Sequence, residues 1–374
     1  MITNTEIEKR GNQIPNQIVD FKQENEKIYF TTHNGVILQL TILRDSLVRF
    51  RYATEHVFEP DFSYAISEDV NLGFNDLEVK EEVPEYVITT SKIKIHVNKS
   101  NLKVQITDLD DKIISEDDLG FHWEENYDYG GNIVKMSKVC HSGESFYGMG
   151  DKASHTNLKG KRVNNWATDS YAYGKDQEPL YKSIPFYIGL KENLAYGVFF
   201  DNSFSTYFDF AMEKRNVTSF WADGGEMNYY FFYGPEMKQV VEAYTDLTGV
   251  PELPPLWALG FHQSKWSYYP ESRVKEVAST FRKLKIPCDA IYLDIDYMEG
   301  FRCFTWNNQY FPNPKKMIEE LEEDGFKTVT MIDPGIKIDR DYWVYQQAMD
   351  NGFFCRRADG PHFKGKVWPG PCKF

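Results

Sequence analysis

Near Pro235 the spacing of apolar residues changes, and this change constrains the fold of the 374-residue chain more than any other feature. Upstream, KIYFTT, GVILQLTIL, SLVRFRY, YVITT, KIKIHV and LKVQITD alternate apolar with polar residues or are rich in β-branched ones. That is the pattern of half-buried strands. Turn formers separate them: His33-Asn34-Gly35, the polar run 98–101 and the acidic run 108–111. No helical period emerges between Lys27 and Tyr230, so this part reads as an antiparallel β-sandwich. One long irregular stretch, NLKGKRVNNWATDSYAYGKDQEPLYKS, interrupts it. Loops of that length in compact domains are often functional.

Downstream, helices and strands alternate. FFYGPEMKQVVEAYTDLTG reads as a helix with Pro235 in its first turn, Met237, Val240, Val241 and Tyr244 on one face, and Gly249 as its stop. LPPLWALGFHQ reads as a strand. ESRVKEVASTFRKLK reads as a helix with Val274, Val277, Phe281 and Leu284 on one stripe. AIYLDID is the next strand, NPKKMIEELEEDG a helix and KTVTMIDPG another strand. Strands recurring about every 35 residues indicate βα units around a parallel sheet. The expected domains are residues 1–234, a sandwich, and 235–374, the βα part.

Polar and special residues gather where these strands end: His262, Gln263 and Trp266, then Asp294 and Asp296, then Asp333. In a (β/α)8 barrel the C-terminal strand ends build the active face. An open doubly wound sheet shows the same alternation, but no glycine-rich phosphate loop follows any of these strands. Periodicity alone leaves the two architectures nearly even.

If AIYLDID runs as one strand, Asp294 and Asp296 share a face, with β-carbons roughly 7 Å apart. Such a separation resembles a glycosidase carboxylate pair. Neighbours on one strand face, however, approach a substrate from the same side, whereas a reacting pair must flank the scissile bond. Substrate anchoring and structural capping stand about level, with catalysis below both. No nearby His, Asp or Glu completes a metal site.

A formal net charge of −14 without a long Lys/Arg block argues against nucleic acid and anionic membranes as partners. The N-terminal run MITNTEIEKRGNQIPNQ is polar, and no run is apolar enough to span a bilayer. These features give the expectation of a cytoplasmic protein. Five scattered cysteines have neither zinc nor disulfide spacing. Aromatic residues make up 16% of the chain. Most of that fraction suits a β-rich core, and aromatic faces also stack on sugar rings.

Several motifs taken together are more specific. LPPLWALGFHQSKWSYYP, IPCDAIYLDIDYMEGFRCFTWN, FPNP, GFKTVTMIDPGIK and GKVWPG follow one another in the second part. ESFYGMGDK, NNWATDSYAYG, PLYKSIPFYIG and ADGGEMNYYFFYGP do so in the first. Their order and spacing, from Phe146 to Gly370, resemble glycoside hydrolase family 31. The resemblance implies a retaining, exo-acting α-glucosidase with an N-terminal β-sandwich and a catalytic (β/α)8 barrel. It implies that Asp294 holds hydroxyls of the −1 sugar and that Ile295 lines the pocket. It also implies that Asp169 sits in a sandwich loop near the substrate, that Trp368 and Met331 form pocket walls, and that Trp266 stands on the aglycone side. For Trp266 and Met331, core packing is an equal alternative. No cofactor or metal is implied.

The family's nucleophile lies in a stretch ending Asp-Met-Asn-Glu, which does not occur in these 374 residues. A (β/α)8 barrel takes about 250 residues, and fewer than half that number follow Leu256. The expectation is therefore a truncated barrel, with nucleophile and acid/base beyond Phe374 and no catalytic residue within the chain. The partners expected are an α-glucoside or oligosaccharide substrate, with the missing C-terminal half or a second copy as protein partner. An α-xylosidase and a non-catalytic sugar-binding protein remain alternatives.

Overall fold

The computed structural model describes residues 12–67, 74, 76–357 and 359–374. The chain forms two compact units, Met1–Val250 and Pro251–Phe374.

The first unit is a sandwich of two fully antiparallel sheets. One sheet has eight strands, in spatial order Ile18–Glu24, Lys27–Thr32, Ile37–Arg44, Leu47–Ala53, Met227–Tyr233, Leu194–Phe200, Ser183–Lys191 and Ser145–Gly150. The other has nine: Arg162–Asn165, Thr206–Phe210, Val217–Ala222, Asn132–Val139, Ile113–Glu125, Val104–Asp108, Ile93–Asn98, Glu85–Thr89 and Glu78–Glu81. The strands expected from alternation all form, and their inward residues, among them Phe30, Leu40, Phe50, Ile95 and Ile106, are buried between the sheets. Aromatic residues fill much of this core; Phe50 stacks on Tyr229 with ring centroids 4.8 Å apart. Such contacts account for most of the high aromatic content.

The helix Met237–Thr248, which sequence assigned to the second domain, packs within the first unit. Its buried face is Val240, Ala243 and Leu247, with Tyr244 stacked on Phe186 at 4.0 Å. Met237 and Val241, expected on that face, are exposed. Burying side chains the size of Val240 and Leu247 is worth about 1.5–3 kcal/mol each, and the outer surface of the eight-stranded sheet, at Leu43, Leu47, Phe199 and Phe232, offers that burial. Gly249 ends the helix with φ +84°, a conformation natural to glycine.

The second unit contains three parallel strands, His262–Gln263, Ala290–Leu293 and Lys327–Thr330, in that spatial order. The helices Glu271–Lys283 and Pro314–Glu323 connect them. This is a partial (β/α)8 barrel following a sandwich, as the motifs implied. Asn313 caps the second connecting helix by accepting a hydrogen bond from the Lys316 N–H at 3.3 Å, and Pro314 occupies the first helical position. Val274 and Ala278 of the first connecting helix are buried, Val277 and Phe281 are half-buried, and Leu284 lies beyond the helix end and is exposed. A small antiparallel sheet of Ile336–Lys337, Gly370–Lys373 and Lys364–Val367 completes the unit.

Two expected strands are shorter than their sequence pattern. In LPPLWALGFHQ only His262 and Gln263 pair, while Leu256–Leu259 forms a 3-10 turn. Pro254 and Pro255 carry no backbone N–H, so they cannot donate to a ladder. Gly260 then passes so close to Asp289 that a Cβ would lie 2.0 Å from Oδ2, and that oxygen accepts the Phe261 N–H at 3.2 Å. In AIYLDID the strand ends at Leu293. Asp294 instead caps the 3-10 turn Ile295–Tyr297, its Oδ1 accepting the Ile295 N–H at 2.7 Å. Asp294 and Asp296 therefore do not extend from a common strand face.

Candidate functional site

The parallel strands deliver polar and aromatic side chains at their C-terminal ends. Trp266 follows the first strand, the turn Asp294–Asp296 follows the second, and Met331 follows the third. Register brings them together. Leu293 pairs with Thr330, and the Met331 N–H donates to the Leu293 carbonyl at 2.9 Å, which sets Met331 beside the start of the acidic turn. The Tyr297 hydroxyl donates to the Met331 carbonyl at 3.0 Å, tying the turn to the third strand. Burial raises the Tyr297 phenol above its usual range, so it remains a neutral donor.

Asp296 accepts a hydrogen bond from Trp266 Nε1 at 2.9 Å. The Trp266 ring lies 5.6 Å from that of Trp368 at 45°. Trp368 reaches this position from the two-residue turn between Lys364–Val367 and Gly370–Lys373, where Gly370 adopts φ +103°. Both indoles are about 60% exposed, and Met331 is 43% exposed. Neither Trp266 nor Met331 is packed in the core of the described residues. Ile295 is 6% exposed and packs in the unit's core with Leu293, Tyr297 and Phe311. His262 is held from both ring nitrogens, by the Tyr292 hydroxyl at 3.1 Å and the Trp257 carbonyl at 3.2 Å.

Asp169 lies in the first unit, in the long loop of the sandwich. It is exposed, and its Oδ1 accepts the Tyr181 hydroxyl at 2.8 Å. That bond is the main cause raising the Tyr181 phenol above its ordinary value. Tyr181 and Tyr297 position Asp169 and the acidic turn, yet sequence reading did not single them out. Their only sequence signal is a tyrosine within each quoted motif.

Among the described residues, no group of three or more His, Cys, Asp and Glu could hold a metal ion. No described helix is long and apolar enough to cross a membrane. The cysteines are all free, with Cys140, Cys288, Cys303 and Cys372 buried and Cys355 exposed. The arrangement offers carboxylates as acceptors beside exposed aromatic faces, which suits a ligand with hydroxyl edges and an apolar face.

Comparison with known proteins bears on the same residues. Residues 37–209 match the glycosyl hydrolase 31 N-terminal galactose mutarotase-like domain, and residues 251–374 match the glycosyl hydrolases family 31 TIM-barrel domain. The chain is 38% identical over 301 residues to alpha-glucosidase 2 of Bacillus thermoamyloliquefaciens, covering 80% of this chain and 38% of that protein. It is 36% identical over 289 residues to an alpha-glucosidase of Saccharolobus solfataricus, covering 74% and 41%. A solved structure of a Flavobacterium johnsoniae family 31 dextranase complexed with glucose superposes with a TM-score of 0.87 at 33% identity, covering 96% of this chain and 44% of that one. The chain thus spans about two fifths of the length of these curated relatives. On the motifs, the fold and both domain matches, the chain belongs to glycoside hydrolase family 31, as an N-terminal portion of it.

Proposed function

We propose that the strand-end residues of the second unit form part of the sugar pocket of a retaining, exo-acting α-glucosidase that hydrolyses terminal α-linked glucose. The observation that carries this reading is the rim itself: three successive parallel strands present Trp266, the Asp294–Asp296 turn and Met331, with Trp266 bonded to Asp296. In this reading Asp294 grips hydroxyls of the −1 sugar, because hydrogen bonds to a charged acceptor are the strong ones. Met331 and Trp368 form its wall, Trp266 meets the aglycone, and Ile295, expected to line the pocket, supports it from the core instead. Asp169, held by Tyr181, takes part in substrate capture. The names of the relatives, two α-glucosidases and a dextranase, support a glucosidic substrate. Within the 374 residues no nucleophile or acid/base is assigned; those roles fall to a segment carrying the Asp-Met-Asn-Glu stretch.

The test compares the 374-residue chain with a polypeptide that also carries that segment, using aryl α-glucosides and aryl α-xylosides. The expected result is hydrolysis of the glucoside by the longer polypeptide alone, with the α-anomer released first. Turnover by the rigorously purified 374-residue chain would overturn the assignment of the reacting groups. Preference for the xyloside, or release of the β-anomer, would overturn the α-glucosidase reading.

A further inference from the structure

One end of the sandwich carries a cleft of about 490 Å³, formed by four loops that strand register brings together. They follow Leu47–Ala53, join Ile113–Glu125 to Asn132–Val139, join Leu194–Phe200 to Thr206–Phe210, and join Val217–Ala222 to Met227–Tyr233. The size falls in the range of small-ligand sites, about 300–1,000 Å³. A protein partner would instead need a broad patch of about 800 Å².

The rim is aromatic. Phe62, Tyr64, Tyr129 and Phe204 are 68%, 91%, 83% and 50% exposed. Scattered exposed aromatics need no explanation, but four around one cleft do. Three of them are held in place. Phe62 and Tyr64 pack edge to face at 4.7 Å. Phe204 rests on Gly224 and Gly225, where a Cβ at Gly224 would lie 2.6 Å from the ring. Asn202 fixes the same loop, accepting the Phe204 N–H at 2.8 Å and donating to the Gly224 carbonyl at 2.9 Å.

The floor is polar and already paired. Arg51 meets Glu226 at 2.7 Å. Arg49 Nε donates to Asn228 Oδ1 at 2.9 Å, Asn228 Nδ2 donates to Asp201 Oδ2 at 3.2 Å, and the Ser63 hydroxyl donates to Asp201 Oδ1 at 2.8 Å. A carboxylate has about four acceptor positions, so Asp201 retains capacity after these two bonds. Because Asp61 and Glu226 neutralise the two arginines and Asp201 adds a negative charge, the floor opposes an anion. An uncharged ligand with several hydroxyls and apolar ring faces satisfies both rim and floor.

We infer that this cleft binds a neutral oligosaccharide, its rings lying on the aromatic rim and its hydroxyls bonding to Asp201 and its neighbours. The claim concerns binding by the first unit and does not depend on the hydrolytic reading of the second. The experiment titrates the 374-residue chain with maltotriose and with isomaltotriose by calorimetry, alongside Tyr64→Ala and Phe204→Ala. At least one trisaccharide should bind with a dissociation constant of ~10 mM or tighter. Tyr64→Ala and Phe204→Ala should each weaken that binding about tenfold. Tyr64 is almost fully exposed, so its variant keeps the fold even if Phe204→Ala loosens its loop. Binding unaffected by Tyr64→Ala, or no binding of either sugar, would overturn the inference.

Discussion

Asp294→Asn separates a sugar anchor from a turn cap. In the structure Asp294 Oδ1 accepts the Ile295 N–H at 2.7 Å and starts the turn that carries Asp296 and Tyr297. Asparagine keeps one side-chain oxygen and is as good a cap as aspartate. The turn should therefore survive, and with it the Tyr297 bond to Met331. What disappears is the charge and the second acceptor oxygen, which the proposal gives to the −1 sugar. A hydrogen bond to a charged group is worth about 1.5–3 kcal/mol. Realised mainly in the transition state, that loss lowers kcat/KM by roughly ten- to a hundredfold. The assay is aryl α-glucoside hydrolysis by the polypeptide carrying the reacting segment, with circular dichroism and thermal melting measured in parallel. Normal folding with full activity would refute the anchoring role and leave Asp294 a turn cap. A loss of about five orders of magnitude, reversed by azide or formate, would make it a reacting carboxylate instead.

Other perturbations probe the remaining features. Asp169→Ala should raise KM severalfold with little change in melting, since the residue is exposed and its bond to Tyr181 is local; lowered stability with unchanged kinetics would make it structural. Trp266→Phe removes the bond to Asp296 but keeps a ring beside Trp368; it should weaken substrate binding while moving Tm by only about 2 °C, and a large fall in Tm would return Trp266 to a packing role. Tyr196→Phe removes the 2.7 Å hydrogen bond to Glu144, which is 1% exposed; leaving that carboxylate oxygen unpaired should cost about 1.5–3 kcal/mol by denaturant unfolding, and a neutral result would refute it. His122 has its pKa lowered by burial. The unfolded chain therefore binds the proton first, and its contribution to stability, present above a pH of about 6.5, is lost as pH falls. His122→Gln should show a smaller loss of stability between pH 7 and 5 than the unsubstituted chain, and parallel profiles would contradict this.

The sandwich and the βα alternation were legible in the chain because each strand or helix announces its own period. KIYFTT, KIKIHV and LKVQITD carry their burial in the spacing of their own residues, and the structure buries the expected sides. The helix Met237–Thr248 was equally legible as a helix, but not its location. Which of two apolar surfaces covers it is settled by long-range packing, and the sheet at Leu43, Leu47 and Phe232 wins. AIYLDID has the alternation of a strand throughout, yet the Asp294 carboxylate competes for the Ile295 N–H and turns the chain. Sequence alone determined that acids and aromatics lie at strand ends. Only the tertiary structure decided which of them meet: Trp266 with Asp296 and Trp368, or Tyr297 with Met331. Those contacts join positions far apart in the chain through sheet register and a hairpin turn, and no local preference of the separate segments encodes such a distance.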